Sequence, residues 1–136
     1  MRKREKRRVW VRVRALTSEE KAAIAAVCQR FIDATPRFLP VVRPTQFNYP
    51  IDIFGKWRGS KYSFITRYRS EFPDNLGDEF DSAFTRLDHV EHSLAETRFD
   101  LMWRRHTGQW WRLDASVTLE ETLQLIGTES LLQPHT

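Results

Sequence analysis

The residues best able to do chemistry in this chain are cations, and their placement is uneven. The first fourteen residues, MRKREKRRVWVRVR, hold eight of the 22 Lys and Arg and one of the 18 acids, a net charge of +7. The other 122 residues carry fourteen cations against seventeen acids, a net −3. A block of this sign is suited to a polyanion, and nucleic acid is the commonest one in a cell. Arg2, Lys3, Arg4, Lys6, Arg7 and Arg8 are the expected phosphate grip, and Arg12 and Arg14 continue it.

A second group of cations is threaded through aromatic residues: Lys56, Trp57, Arg58, Lys61, Tyr62, Arg67, Tyr68 and Arg69. Single-stranded nucleic acid is bound by this pairing, with cations following phosphates and rings stacking on bases. Trp57, Tyr62 and Phe64 are the stacking candidates, with Lys56, Arg58 and Lys61 beside them. The competing expectation is a half-buried strand pair with its Lys and Arg in water.

Other chemistry is thinly represented. Asp88-His89-Val90-Glu91-His92 places two histidines three apart between carboxylates, but no remote third ligand completes a metal site. His106 stands alone in a tight turn, without the partner that a general acid or base needs. Glycine-rich phosphate loops, nucleophile elbows and paired-cysteine zinc spacings are absent. No cofactor and no metal are expected, no reaction is identified, and binding is expected ahead of catalysis.

These residues must be positioned by a chain of 136 residues, the size of one domain. Val9, Val11, Val13 and Ala15 alternate with Trp10, Arg12, Arg14 and Leu16, the period of a strand with one basic face. Thr17-Ser-Glu-Glu20 is a capping box opening a helix whose stripe is Ile24, Val27, Cys28, Phe31 and Ile32, stopped by Pro36. Two hairpins follow, over residues 49–69 and 98–114. In the second, a three-residue loop His106-Thr107-Gly108 opposes Trp103 to Trp111 and Leu101 to Leu113, gathering the apolar residues on one side. Trp57-Arg58-Gly59 is the corresponding turn expected in the first. Residues 71–84, with five acids, read as an exposed loop, and residues 84–90 as a short strand. A second capping box at Thr118-Leu-Glu-Glu121 opens a last helix with Leu119, Leu123 and Ile126 inside and Gly127 as its C-cap.

The expected fold is α+β: a curved antiparallel sheet of four to six strands with two helices packed on one face. The expected division is a flexible basic arm (1–8), a single domain (9–132) and a frayed tail (133–136). A lone cysteine, no apolar run of membrane-spanning length and no apolar signal region point to a cytoplasmic protein without membrane contact.

Three functions follow in order. The first is a small nucleic-acid-binding protein without strong sequence preference, taking single-stranded nucleic acid or RNA. The second is an interaction or immunity-like subunit whose arm docks on an acidic protein surface, or on the acidic residues 71–81 of another copy in self-association. The third is a metal-independent small ribonuclease using His106, Arg104, Arg105, Lys61 and Tyr62.

Overall fold

The computed structural model describes residues 12–40 and 47–134. Helix α1 (Ser18–Ala34) is followed by five strands, β1 (Tyr49–Arg58), β2 (Lys61–Arg69), β3 (Glu79–His89), β4 (Phe99–Arg104) and β5 (Trp110–Val117), and by helix α2 (Leu119–Thr128). Each strand pairs antiparallel with the next, in the order β1-β2-β3-β4-β5. The sheet is slightly curled and open, and the fold is α+β. Among the described residues no helix is long and apolar enough to cross a membrane.

Both helices start where the sequence places their caps. Thr17 Oγ1 accepts from the Glu20 amide at 3.1 Å, and the Glu20 carboxylate accepts from the Thr17 amide at 3.1 Å, so two orphan donors are satisfied reciprocally. Thr118 Oγ1 accepts from the Glu121 amide at 3.2 Å. Ile24, Cys28 and Ile32 of α1 and Ile126 of α2 are buried. Gly127 lies inside α2 rather than at its C-cap, which is Glu129. A methyl group there would sit 3.9 Å from the Phe31 ring, so the two helices approach closely at this point. Gln133 is tied down, its Nε2 donating to the carbonyls of Ile126 and Glu129 at 2.7 and 3.0 Å.

The second hairpin has the expected register. Trp103 opposes Trp111, and the Arg105 amide donates to the Gln109 carbonyl across the loop 106–108, with Gly108 at φ +86°. A bulge after Leu101 then sets that residue opposite Asp114 instead of Leu113. The first hairpin corrects the expected turn. Its loop is the two residues Gly59-Ser60, with Arg58 opposite Lys61 and Trp57 opposite Tyr62. Gly59 at φ +59° supplies the glycine that a two-residue turn of this class needs at its first position. Strand β3 begins at Glu79, so the acid-rich segment is loop only over residues 71–78. Residues 12–17 form no strand; Arg14 gives one backbone hydrogen bond, to Glu91, at 2.7 Å, and residues 9–11 lie outside the described residues.

Pairing decides what each face carries, because directly opposed residues share a face. Ile53, Gly55 and Trp57 of β1, Tyr62 and Phe64 of β2, Leu87 of β3, and Phe99 and Leu101 of β4 project to one side, where they meet Ile24, Cys28, Ile32, Phe38, Ile126 and Leu132. A run of ring contacts crosses this core: Phe31, Phe38, Phe84, Phe64, Tyr62 and Trp57, with successive centroids 5.2 to 6.2 Å apart. Trp57 Nε1 donates to the Lys21 carbonyl of α1 at 3.0 Å, and Thr85 Oγ1 donates to the Leu132 carbonyl at 2.9 Å. Both helices therefore pack on this one face. Gly55 lies directly beneath Tyr62; any Cβ at that position would come within 1.7 Å of the phenol oxygen.

Candidate anion-binding face

The same alternation that sends Trp57, Tyr62 and Phe64 under the helices sends Lys56, Arg58, Lys61 and Ser63 to the opposite face, which neither helix covers. Arg58 and Lys61 are directly opposed across the turn, and Lys61 in turn lies opposite Asp88. One row along, Lys56 opposes Ser63, and Ser63 opposes Arg86 of β3. At the other end, Arg104 of β4 opposes Trp110 of β5. These rows enclose a cavity of about 350 Å³. Five cations line it, Lys56, Arg58, Lys61, Arg86 and Arg104, with one acid, Asp81, and with Trp110. Ser63, Ile65 and Ala83 form its floor.

The five cations divide into held and free. Asp88 accepts from Arg86 Nε and Nη2 at 2.7 and 2.9 Å, and the guanidinium lies 4.6 Å from the centroid of the Trp110 ring. Arg104 Nη1 donates to Ser82 Oγ and to the Ala83 carbonyl at 3.4 and 3.3 Å. Lys56, Arg58 and Lys61 are exposed and have no ion pair among the described residues. Asp81 offers them nothing, because Arg67 binds its two oxygens at 2.9 and 3.3 Å. That hydrogen-bonded pairing raises the Arg67 pKa above its ordinary value. Two like charges directly opposed, Arg58 and Lys61, are an unfavourable pair in any sheet, and Asp88 is occupied by Arg86. The upper half of the cavity is thus a site of positive potential that an anion would relieve.

The structure separates the expected site residues. Lys56, Arg58 and Lys61 share the cavity. Tyr62 and Phe64 are corrected: they are 2 % and 0 % exposed, so neither ring can stack on a base. Trp57 is also taken by the core, half-buried with its indole N–H bonded to α1. Burial raises the Tyr62 phenol pKa above its usual value, with Cys28 adding to the effect, and burial pushes the Cys28 thiol up to about 12. Arg14 is bound into the fold, its Nη1 on Glu20 at 2.7 Å and its Nη2 on Thr97 at 2.5 Å. The Glu20 carboxyl is held below its ordinary pKa by the Thr17 amide first and by Arg14 second. Arg12 is exposed, and Arg2, Lys3, Arg4, Lys6, Arg7 and Arg8 lie outside the described residues.

The ribonuclease set is divided. Arg104, Arg105 and His106 line a second cavity beside the β4–β5 turn, with His106 exposed and Arg105 over Trp111 at 4.8 Å, while Lys61 and Tyr62 point to opposite faces of the sheet. Of the paired histidines, His92 is exposed, while His89 is buried with its ring edge-on to Phe99 and neither ring nitrogen hydrogen-bonded. Among the described residues no three His, Cys, Asp or Glu come together as metal ligands.

Arg86 and Trp110 are the cavity residues that sequence reasoning missed. They come from strands distant in sequence and reach Lys56 and Lys61 only through the register of β2 on β3 and β4 on β5. A family model described as a domain of unknown function (DUF3024) matches residues 6–131 of the chain. No curated protein and no solved structure matches it.

Proposed function

The chain belongs to the DUF3024 family, and we propose that it binds nucleic acid, without strong sequence preference, on the sheet face left bare by the helices. The observation that carries this is the set of three adjacent cations without an ion pair among the described residues, Lys56, Arg58 and Lys61, on a cavity of about 350 Å³ lined by two more cations and a tryptophan. Phosphates would take the unpaired charges, and the arm Arg2, Lys3, Arg4, Lys6, Arg7 and Arg8 would add sequence-independent attraction. A cytoplasmic setting belongs to the same proposal; the one cysteine is free and buried.

The test is a titration of a labelled single-stranded oligonucleotide by fluorescence anisotropy. Lys56→Gln/Arg58→Gln/Lys61→Gln in the full chain should weaken binding about tenfold or more, since three phosphate contacts are lost. Arg30→Gln/Arg37→Gln, exposed cations on the helical side, should change it less than about twofold. Equal binding by the triple variant and the parent, or no binding by the parent, refutes the proposal. An acidic protein surface as ligand would appear as binding to a polyglutamate probe with no binding to the oligonucleotide.

A further inference from the structure

We infer that the cavity on the bare face is a subsite for one unstacked nucleobase of a single strand, held at Trp110 and Arg86, with its flanking phosphates on Lys56, Arg58 and Lys61. This rests on the nucleic-acid proposal and narrows it.

The two ends of the cavity differ in chemistry. The end at the β1–β2 turn carries Arg58 and Lys61, exposed charges without an ion pair among the described residues. The far end carries Trp110 opposite Arg104, with the Arg86 guanidinium lying on the indole at 4.6 Å. The row of Lys61, Asp88 and Asp100 and the row of Arg104 are four residue steps apart along β4, about 13 Å at the usual strand rise. Arg86 is fixed from two sides, by both oxygens of Asp88 and by the ring, so it keeps its plane without a ligand. A planar cation braced on an aromatic ring is a surface on which a base stacks. Ser63, which lines the cavity, and Arg86 Nη1, the one guanidinium nitrogen not engaged by Asp88, supply polar contacts for a base edge.

Volume sets the stoichiometry. Sites for small organic ligands run from about 300 to 1,000 Å³. A cavity of about 350 Å³ is at the bottom of that range and takes one base with its sugar. A base paired within a duplex cannot enter it; only an unpaired or extruded one can. The free cations then lie on the path by which the backbone leaves.

Three probes of equal length separate the contributions, each titrated into the unmodified full chain: a single-stranded oligonucleotide, its duplex, and a single strand of abasic sites. The single strand should bind about tenfold tighter than the abasic strand, the usual worth of one stacked base, and tighter than the duplex by a similar factor. Trp110→Ala should bring the ordinary strand down to the abasic level. A free mononucleotide should compete only weakly, because it brings one phosphate; competition at the affinity of the strand would reassign the cavity to a free nucleotide and overturn the inference. Abasic and ordinary strands bound alike also overturn it, while leaving a charged face that binds nucleic acid. No binding of any probe removes the proposed function itself.

Discussion

The charge on the bare face can be counted by salt. Each phosphate neutralised on a single strand contributes about 0.7 to the slope of log affinity against log salt. Lys56, Arg58 and Lys61 are the cations of the cavity with no ion pair among the described residues, so each is available to replace a counterion. Changing all three to Gln should lower the slope by about 2.1. Between roughly 50 and 200 mM salt, a fourfold change, the parent should therefore lose about 18-fold more affinity than the variant. The six cations of residues 2–8 remain in both proteins and cancel from this comparison. Deleting residues 1–8 in the same experiment should flatten the slope separately, by up to about 4 for six cations. Anisotropy titrations of one labelled single strand at four or five salt concentrations read both numbers. Parallel lines for the parent and the triple variant would refute the argument, whatever the absolute affinity. They would show that the three side chains meet no phosphate.

Two glycine-to-alanine changes should have opposite signs in urea denaturation. Gly55→Ala places a methyl group within 1.7 Å of the buried Tyr62 phenol oxygen and should cost about 1–3 kcal/mol, whereas Gly127→Ala meets Phe31 at an ordinary 3.9 Å and should stabilise the helix by roughly 0.5–1 kcal/mol; the same sign for both would contradict the packing described. The Cys28 thiol, buried and pushed up to about 12, should not react with a disulfide reagent in the native protein at pH 8 and should react at once in denaturant; fast native labelling would show that α1 does not cover it. Burial, and secondarily the Arg14 guanidinium, lower the His89 pKa in the folded state, so the unfolded chain takes up its proton first. Stability is then full above the unfolded value of about 6.5, declines as pH falls through it, and levels off below the folded value; His89→Phe should remove that decline, and an unchanged profile would show that another group causes it.

What was legible in the sequence was local, or fixed by a single consistent burial pattern. The caps at Thr17 and Thr118 need only residues three apart: the box at Thr17 is complete, while at Thr118 the hydroxyl caps the Glu121 amide and the Glu121 carboxylate takes that hydroxyl rather than the Thr118 amide. In the β4–β5 hairpin one register gathers Leu101, Trp103 and Trp111 on a single side, and Trp103 does oppose Trp111. The β1–β2 hairpin offers no such choice. Ile53 and Trp57 fall on one side and Phe54 on the other, so burial alone does not select the loop length. A three-residue turn there would set Phe54 beside Tyr62; the two-residue turn sets Trp57 beside Tyr62 and Phe54 beside Ile65. A slip of one residue moves every side chain to the other face. The site was half visible for the same reason. Lys56, Trp57 and Arg58, like Lys61, Tyr62 and the residues after it, are neighbours in sequence, and a strand sends neighbours to opposite faces. Interleaved cations and rings in one hairpin thus signal a basic face and an aromatic face, not one mixed face. The ring that does meet the cations, Trp110, comes from the opposite edge of the sheet.

The strongest argument that the bare face is a site lies in the contrast between its two ends. Any sheet covered on one side must keep its other side compatible with water, and the ordinary solution is charges of both signs, paired across strands. The end nearer the β2–β3 connection follows that solution. Arg67 binds Asp81 and is drawn also toward Asp52, Arg69 lies 3.4 Å from Glu79, and the Arg67 guanidinium covers Phe54 at 4.8 Å. The end at the β1–β2 turn departs from it. Arg58 opposes Lys61, Lys56 opposes a serine, and the carboxylate opposite Lys61, Asp88, is committed to Arg86. Solvation alone explains the first arrangement and gives no reason for the second, since one acid at position 56 or 58 would relieve the repulsion at no cost to packing. Locally unfavourable charge on an otherwise consistent fold is where function is expected to lie, because an external anion completes the pairing that the chain leaves open. A variant that supplies the missing acid, Arg58→Glu, should therefore stabilise the free protein slightly while weakening its hold on a phosphate chain. Stability and affinity moving in opposite directions at this one residue is what a binding face requires and a solvated face does not.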